Sequence, residues 1–345
     1  MSLDNKTTTS TTTHLPMSAE SGFVTISPEL VLKTFRWRRS ISSLQIVCLH
    51  GWVDNSASFE LLAPFLVENL SADVIAIDLA GHGQSNHRLQ GSSYFQLGYA
   101  YDICIAIDKL PWNNNDGNKI ILIGHSMGGG ICSVIASSFS EKISKLILLD
   151  NLGLSSRLPE DACKGFRNAV TSQVIFLSTP HTTYSSIDDM VDQRLKTLTT
   201  HPGNQTLSRK AAERLVKHAA IEVSSSSSSS SSLSSTSSLS SSLSSSTVTD
   251  ISPKIYKFTH DKRVVSPSLL FVDEFQAISF LKAIQCPTLI LQAENGWPMD
   301  QDIRKERLAA IQIKTHILLP GSHHFHLDEE TFLKVGNAVI DFLRV

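Results

Sequence analysis

A serine that directly follows a short apolar run has the spacing of a catalytic nucleophile. Residues 124–128 read Gly-His-Ser-Met-Gly, and the run at 120–123 comes immediately before them. The pattern G-x-S-x-G between a strand and a helix predicts a nucleophile elbow, a sharp turn that exposes the hydroxyl of Ser126. Glycine is needed at positions 124 and 128 because the outgoing helix passes close to the strand there. Alone, the pattern also occurs by chance in Gly/Ser turns that carry out no chemistry.

A histidine-rich segment near the end of the chain offers candidates for the base that a serine nucleophile needs. Serine hydroxyls are weak nucleophiles at neutral pH, and in chains with an elbow the histidine follows the last strand. His323, His324 and His326 come after the predicted strand at 315–319 and a Pro-Gly turn. His323 comes first after that turn and is predicted to be the general base. We expect the other two to pack or to face solvent, since no ligand motif of known spacing predicts a metal site.

Two carboxylates compete for the third position, the group that orients the base. Asp150 ends the apolar run at 145–149, and Glu294 follows the run at 289–293. Enzymes with such a serine elbow often carry an aspartate a few residues after the strand that corresponds to 289–293. In this chain Gly296 stands at that place. Asp150 is the preferred acid because it ends the strand beside that of the nucleophile. Glu294 remains an alternative, and a hinge residue is the non-catalytic interpretation of Asp150.

Two backbone N–H groups are predicted to bind the oxyanion that forms during attack. One belongs to Met127, in the first turn of the helix after the serine, where free N–H groups favour negative charge. The other belongs to Trp52, in the loop after the third strand, and its indole would form a wall of the pocket. Core packing is the alternative role for Trp52. Asp78 and His82 precede the serine in the chain and are predicted to be structural.

Apolar runs that alternate with helical patterns are typical of a doubly wound, mostly parallel sheet. An antiparallel hairpin is predicted at 23–37, at one edge of that sheet. A closing helix is expected to place Val335, Val339 and Phe342 on one face, after an acidic first turn at 328–330. The predicted buried strands lie at 44–49, 74–77, 119–123, 145–149, 288–291 and 315–319.

This alternation stops between positions 151 and 286, where the pattern is irregular and largely helical. We expect a lid there that covers the strand ends and selects the substrate, between core segments 23–150 and 287–345. Within it, residues 224–246 are almost all serine and are predicted to form a disordered loop, since they cannot bury enough apolar surface. Residues 1–22 are rich in Thr and Ser and are predicted to be a disordered tail rather than a signal peptide.

Composition narrows the classes of partner and compartment. The 345 residues are 41% hydrophobic, enough for a large core, and a formal net charge of -2 gives no basic footprint for nucleic acid. No apolar run approaches the length of a membrane span, and the chain does not end in a peroxisomal signal. Five cysteines without a C-x-x-C pair indicate free thiols in a reducing compartment. We therefore expect a cytoplasmic protein with a small-molecule substrate and no cofactor; no pattern indicates an oligomeric state.

Together these motifs resemble the α/β-hydrolase superfamily, over roughly residues 23–345 without the serine-rich loop. Three further stretches are similar to the serine hydrolase-like protein group, namely residues 49–55, 111–113 and 260–263. The resemblance implies an α/β-hydrolase fold with a helical lid and acyl transfer through Ser126. A lipase-like or carbon–carbon-bond hydrolase would use the same machinery. A non-catalytic ligand-binding protein on the same fold is the alternative of a different kind.

Overall fold

An eight-stranded sheet forms the centre of the molecule. The computed structural model describes residues 17–39, 42, 44–112, 119–203, 205–223 and 254–345. Ten strands lie in these ranges: β1 (Glu20–Ser27), β2 (Leu30–Arg38), β3 (Leu44–Leu49), β4 (Ala72–Ile77), β5 (Ile120–His125), β6 (Ile143–Leu149), β7 (Ala220–Val223), β8 (Ile255–Phe258), β9 (Thr288–Asn295) and β10 (Lys314–Ser322). The large sheet has the order β1-β2-β4-β3-β5-β6-β9-β10.

The strands from β4 to β10 in this order pair in parallel, whereas β1 and β2 form an antiparallel hairpin at one edge. The predicted parallel sheet and edge hairpin are therefore confirmed. Parallel strands need crossover helices on both faces, which explains why their residues are buried on both sides. On β3, for example, Ile46 and Cys48 enter the core on one face, and Val47 and Leu49 enter the core on the other.

The described helices cover both faces of the sheet. They are α1 (Leu62–Leu70), α2 (Gln96–Lys109), α3 (Met127–Ser138), α4 (Ala162–Ser178), α5 (Ile187–Leu198), α6 (Arg209–Ala219), α7 (Glu274–Lys282), α8 (Gln301–Ala310) and α9 (Phe332–Arg344). Helices α1 and α9 pack together over one face, while α2, α3 and α7 supply the core of the other. All of them fall short of the length and apolar content that crossing a bilayer requires.

Between β6 and β9 the chain forms α4 to α7 and a separate two-stranded ribbon of β7 and β8. Helical structure was the expectation for this stretch, but the ribbon was not predicted. Each of its strands has four residues without a clear inward and outward alternation, so the usual sequence signal of a strand is missing. The predicted disordered loop at 224–246 lies outside the described residues.

Two predicted boundaries are wrong. The tail was expected to extend to residue 22, but β1 begins at Glu20 because its backbone pairs with Arg36 on β2; residues 1–16 lie outside the described part. The closing helix begins at Phe332, so residues 328–330 precede it instead of forming its first turn. Two of their carboxylates contact the start of α6 or the helix itself: Asp328 accepts from the backbone N–H of Ser208, and Glu329 accepts from the side chains of Ser208 and Arg214.

Candidate active site

Ser126 lies at a sharp turn between β5 and α3. Its backbone has φ 50° and ψ -121°, a conformation that non-glycine residues rarely adopt. A Cβ atom on Gly124 would lie 2.4 Å from the carbonyl oxygen of Gly128, and one on Gly128 would lie 2.2 Å from that of Leu49. These contacts confirm the steric reason for glycine at both positions. The turn is closed by backbone rather than by side chains that could move aside.

Strained backbone is concentrated around this turn. Of the four described non-glycine residues with positive φ, Val53, Ser126 and Asp150 lie in loops at the carboxyl ends of β3, β5 and β6, with φ values of 60°, 50° and 48°. For a β-branched residue such as Val53 this conformation is a marked outlier. Strain of this kind persists only where the surroundings impose it, and it is common at functional sites. The loops after three adjacent strands therefore each contain a residue with a strained backbone.

His323 and Asp150 are in direct contact. Nδ1 of His323 donates to Oδ2 of Asp150 at 2.5 Å, and both side chains are almost fully buried. The carboxylate also accepts from the backbone N–H groups of Ala293 and Trp297, at 3.1 and 2.8 Å. Since the carboxylate can only accept, Nδ1 carries a proton, and in the neutral form of the ring Nε2 then has the lone pair. The pair thus has the tautomer that a general base requires.

The structure separates the two candidate acids. Glu294 is exposed at the end of β9 and makes no side-chain contact with His323, whereas Asp150 reaches it from β6. A Cβ atom on Gly296 would lie 2.3 Å from Oδ1 of Asp150. The glycine at the position where an aspartate is often found therefore leaves the space that the carboxylate from the neighbouring strand fills.

Ser126 and His323 line one cavity of about 800 Å³. The hydroxyl of Ser126 makes no hydrogen bond to any residue in the described ranges. Contacts between a nucleophile and its base are often long in proteins without bound substrate and shorten when substrate binds. Both side chains line the same cavity, and Nε2 of His323 makes no hydrogen bond to the residues that the structure describes.

The two backbone N–H groups assigned to the oxyanion are both available. Neither Met127 nor Trp52 donates its amide to a backbone carbonyl within the described segments. The indole of Trp52 is 42% exposed and lines the cavity, so the core-packing alternative is wrong. Its Nε1 donates to the carbonyl oxygen of Val264. Trp52 therefore joins the loop after β3 to the segment between β6 and β9.

Aromatic rings cross the cavity from that loop to the histidine. Ring centroids are 6.5 Å apart for Trp52 and His201, 5.7 Å for His201 and Trp297, and 5.3 Å for Trp297 and His323. Burial lowers the pKa of His201, so that its ring is neutral at physiological pH. Neither His201 nor Trp297 was predicted as a site residue. No local pattern marks them, because the folded chain alone brings them to the cavity.

The other two histidines of the C-terminal segment are buried, which agrees with packing rather than solvent exposure among the two roles expected for them. Nε2 of His324 donates to Oδ2 of Asp54 at 3.3 Å, while His326 has no hydrogen-bond partner in the described chain. His125 donates from Nε2 to the carbonyl oxygen of His323. Burial, reinforced by the neighbouring histidines, holds the pKa of His125 well below its ordinary value. The ring beside the serine is thus neutral, and its hydrogen bond fixes the backbone of His323.

Asp78 and His82 stabilise loops, as predicted. Asp78 accepts from the backbone N–H groups of Ser56 and Gln84 and from Nε2 of His218. His82 is fully buried, and its Nδ1 donates to the carbonyl oxygen of Ala80. Both side chains are committed to loop contacts away from Ser126. As for metals, the described residues contain no group of three or more His, Cys, Asp or Glu side chains placed to hold an ion.

Comparisons with known proteins agree with the fold. The family model described as alpha/beta hydrolase fold matches residues 45–331. A serine hydrolase-like protein of Dictyostelium discoideum is 28% identical over 301 residues, which are 85% of this chain and 73% of that protein. A serine hydrolase-like protein of Danio rerio is 26% identical over 313 residues, 87% of this chain and 81% of its own length.

Solved structures are similar over almost the whole chain. A hypothetical protein of Pseudomonas aeruginosa PAO1 superimposes with a TM-score of 0.75 at 26% identity, covering 94% of this chain and all of that one. A thioesterase domain from the curacin biosynthetic pathway has a TM-score of 0.69 at 18% identity, over 95% of this chain and 100% of its own. The second likeness concerns the fold alone.

Proposed function

The chain belongs to the alpha/beta hydrolase fold family, and we propose that it is a serine hydrolase that cleaves a small ester-like substrate through an acyl-enzyme on Ser126. The observation that carries this proposal is the hydrogen bond from Nδ1 of His323 to Asp150, made beside the cavity that Ser126 also lines. This hydrogen bond leaves Nε2 of His323 free to act as a base. The nucleophile that such a base would activate is the hydroxyl of Ser126, which lines the same cavity.

In the first half of the reaction, Oγ of Ser126 bonds to the carbonyl carbon and its proton passes to Nε2 of His323. The electron pair of the carbonyl moves to its oxygen, and the N–H groups of Met127 and Trp52 stabilise this oxyanion. Collapse of the intermediate breaks the bond to the alcohol, which leaves with the proton from His323. Asp150 stabilises the charged ring throughout.

In the second half, water takes the place of the alcohol. His323 accepts a proton from water, whose oxygen bonds to the acyl carbon of the ester on Ser126. The same two N–H groups bind the second oxyanion. Breaking the bond to Oγ of Ser126 releases the acid, and the proton held by His323 returns to the serine oxygen.

Hydrolysis of activated short-chain esters tests this proposal. Release of 4-nitrophenol from its acetate and butyrate esters should fall by about 10³-fold or more in Ser126→Ala and in His323→Ala, if both circular dichroism spectra match the wild type. A panel of longer acyl esters and of carbon–carbon-bond substrates then separates esterases from the other hydrolases of this fold. Wild-type turnover by Ser126→Ala, or no turnover by the wild type on any of them, would make the proposal wrong.

A further inference from the structure

Arg194 on α5 is a buried arginine with most of its hydrogen-bonding capacity unused. Its side chain is 10% exposed, and its guanidinium carries five N–H donors. Nη2 donates to Oδ1 of Asp54 at 2.5 Å. Nε is buried without a partner, and Nη1 donates to none of the described residues. A buried donor without an acceptor costs free energy. The donors of Nη1, which no described residue accepts, are therefore left for a partner of another kind.

Arg307 lines the same cavity and shows the opposite behaviour. Its Nε and Nη2 donate to the carboxylate of Glu274, Nη2 also donates to the hydroxyl of Ser156, and Nη1 donates to the backbone oxygens of Leu152 and Leu154. All three of its nitrogens are thus used by the protein itself. Arg307 has the contacts of a structural arginine, and Arg194 does not.

Asp54 holds the guanidinium of Arg194 in place. Its side chain is 1% exposed, and its Oδ2 accepts from Nε2 of His324. Burial alone would raise the pKa of Asp54, but the charge of Arg194 and the contact with His324 outweigh burial and hold that pKa well below its ordinary value. The ionised carboxylate therefore fixes one nitrogen of Arg194 and leaves the others free.

The guanidinium borders two cavities, one of which is the cavity that Ser126 lines. Asp54 and Arg194 line both the cavity of Ser126 and a second one of about 200 Å³. Oδ2 of Asp54 lies 3.9 Å from Nδ1 of His125, the residue before Ser126. A Cβ atom on Gly51 would lie within 3.1 Å of both of those side chains. Arg194 is therefore connected to the serine turn and to the loop of Trp52 through Asp54.

We propose that Arg194 binds a carboxylate of the substrate, so that the preferred substrates are esters that carry a free carboxylate in the part that lies toward α5. This inference rests on the proposed hydrolase function and narrows its substrate class. A carboxylate supplies two acceptor oxygens in the plane that a guanidinium matches with parallel N–H···O bonds. These oxygens would satisfy donors that Asp54 leaves free.

Chain length should matter as much as charge. Asp54 offsets the charge of Arg194, so attraction over a distance is weak and recognition depends on directed hydrogen bonds. The neighbouring rings of His201 and His324 add no charge, because burial lowers the pKa of each. An ester should therefore be favoured only when its carboxylate reaches the guanidinium while its carbonyl lies at Ser126.

A series of matched esters tests this inference in the full-length protein. The probes are the methyl hydrogen esters of succinate, glutarate and adipate, each compared with the neutral methyl ester of butanoate, pentanoate or hexanoate through the release of methanol. We expect one acidic ester to exceed its neutral match in kcat/KM by about ten-fold or more, the gain expected for one charge-assisted hydrogen bond. Arg194→Lys keeps the positive charge but lacks the paired N–H groups of the guanidinium. In this variant the acidic ester and its neutral match should have about the same kcat/KM.

Lys196→Gln is the matched control, because Lys196 is exposed on the same helix and should leave the ratio unchanged. Calorimetric titration of Ser126→Ala with the same six esters supplies a readout without turnover. Here the favoured acidic ester should bind at least about ten-fold more tightly than its neutral match, and adding Arg194→Lys should remove the difference. The wild-type and Ser126→Ala comparisons need no variant at position 194 and remain decisive if Arg194→Lys does not fold.

The outcomes separate the two proposals. Hydrolysis that depends on Ser126 with no preference for any acidic ester would overturn the role of Arg194 and leave the hydrolase function standing. Binding of an acidic ester that depends on Arg194, in a protein that hydrolyses none of the six, would support the carboxylate site and contradict the hydrolase function. No preference in either turnover or binding, or a preference that Arg194→Lys retains, would overturn the inference.

Discussion

A Cβ atom on Gly296 would lie 2.3 Å from Oδ1 of Asp150. The absence of a side chain at position 296 and the presence of a carboxylate at position 150 are therefore two parts of one arrangement. The space beside His323 accepts one carboxylate, and here it comes from the end of β6 rather than from the loop after β9.

This relationship predicts the effect of Gly296→Ala. The added methyl group must displace the carboxylate, which would lengthen its 2.5 Å hydrogen bond to Nδ1 of His323. We expect kcat to fall by about ten-fold or more while KM changes little, because the carboxylate is proposed to act through His323 rather than by binding substrate. Steady-state kinetics with an activated ester measure both. An unchanged kcat would mean that the carboxylate has room to move without cost.

The same relationship predicts a rescue. Asp150→Gly should abolish turnover, and Gly296→Asp added to it should restore a measurable part, since the second change returns a carboxylate to the vacated space from the other strand. Gly296→Asp alone should be worse than wild type, because two carboxylates would then compete for one histidine. If the double variant is no more active than Asp150→Gly, the space does not accept an acid from position 296.

Asp150→Asn and Glu294→Gln rank the two acids that the sequence left open. Asp150→Asn should lower kcat by about 10²- to 10⁴-fold, because an amide can hold the wrong tautomer of His323 and does not stabilise its charged form. Glu294→Gln removes the same charge at an exposed site and serves as the control, with an expected change of less than about two-fold. Equal effects of the two substitutions would contradict the assignment.

Gly128→Ala should destabilise the serine turn severely. Its Cβ atom would lie 2.2 Å from the carbonyl oxygen of Leu49, and backbone on both sides leaves no flexible side chain to move. We expect a loss of about 3 kcal/mol or more in the free energy of unfolding, measured by urea denaturation. Gly91→Ala is the control, since a Cβ there meets nothing within 4 Å and only its φ of +86° is unfavourable. That control should cost about 1 kcal/mol.

The free energy of unfolding should fall as the pH drops below about 6.5. Burial lowers the pKa of His82 to about 3 and that of His260 to about 4. Between these values and 6.5 the unfolded chain binds the protons and the folded chain does not, so acid favours unfolding by about 1.4 kcal/mol per pH unit for each such histidine.

Urea denaturation at pH 7.5, 6 and 5 measures that slope. His82→Gln should reduce it by about 1.4 kcal/mol per pH unit at the acid end, since the variant lacks one of the groups that titrate only on unfolding. A His87→Gln protein, changed at a histidine whose side chain is 44% exposed, is the matched comparison. Identical slopes for wild type and His82→Gln would show that His82 is already protonated in the folded protein.

The sequence could predict those parts of the site that are marked by a local motif or by their order along the chain. Ser126 has a five-residue pattern around it, and His323 follows from its place after the last strand. The choice between Asp150 and Glu294 stayed open because both end apolar runs, and the folded chain alone decides which carboxylate reaches the histidine. The sheet was predictable because buried parallel strands are continuous apolar runs.

Other parts left no trace in the sequence. Arg194 lies on an amphipathic helix whose periodicity shows which side is buried and not what that side faces. His201 and Trp297 lie in loops that are far apart in the sequence, and only the folded chain brings their rings together at the cavity. The ribbon of β7 and β8 is too short for its periodicity to be seen. Contacts between distant segments therefore account for most of what the sequence did not predict.

Everything proposed for the reaction depends on Ser126 being an activated nucleophile. Labelling with a fluorophosphonate probe tests it most directly, because the probe reacts covalently with activated serines and needs no knowledge of the substrate. We expect one label per chain on Ser126 in the wild type, none in Ser126→Ala, and strongly slowed labelling in His323→Ala. A folded wild-type protein that stays unlabelled, or a Ser126→Ala protein labelled as fast as the wild type, would contradict it.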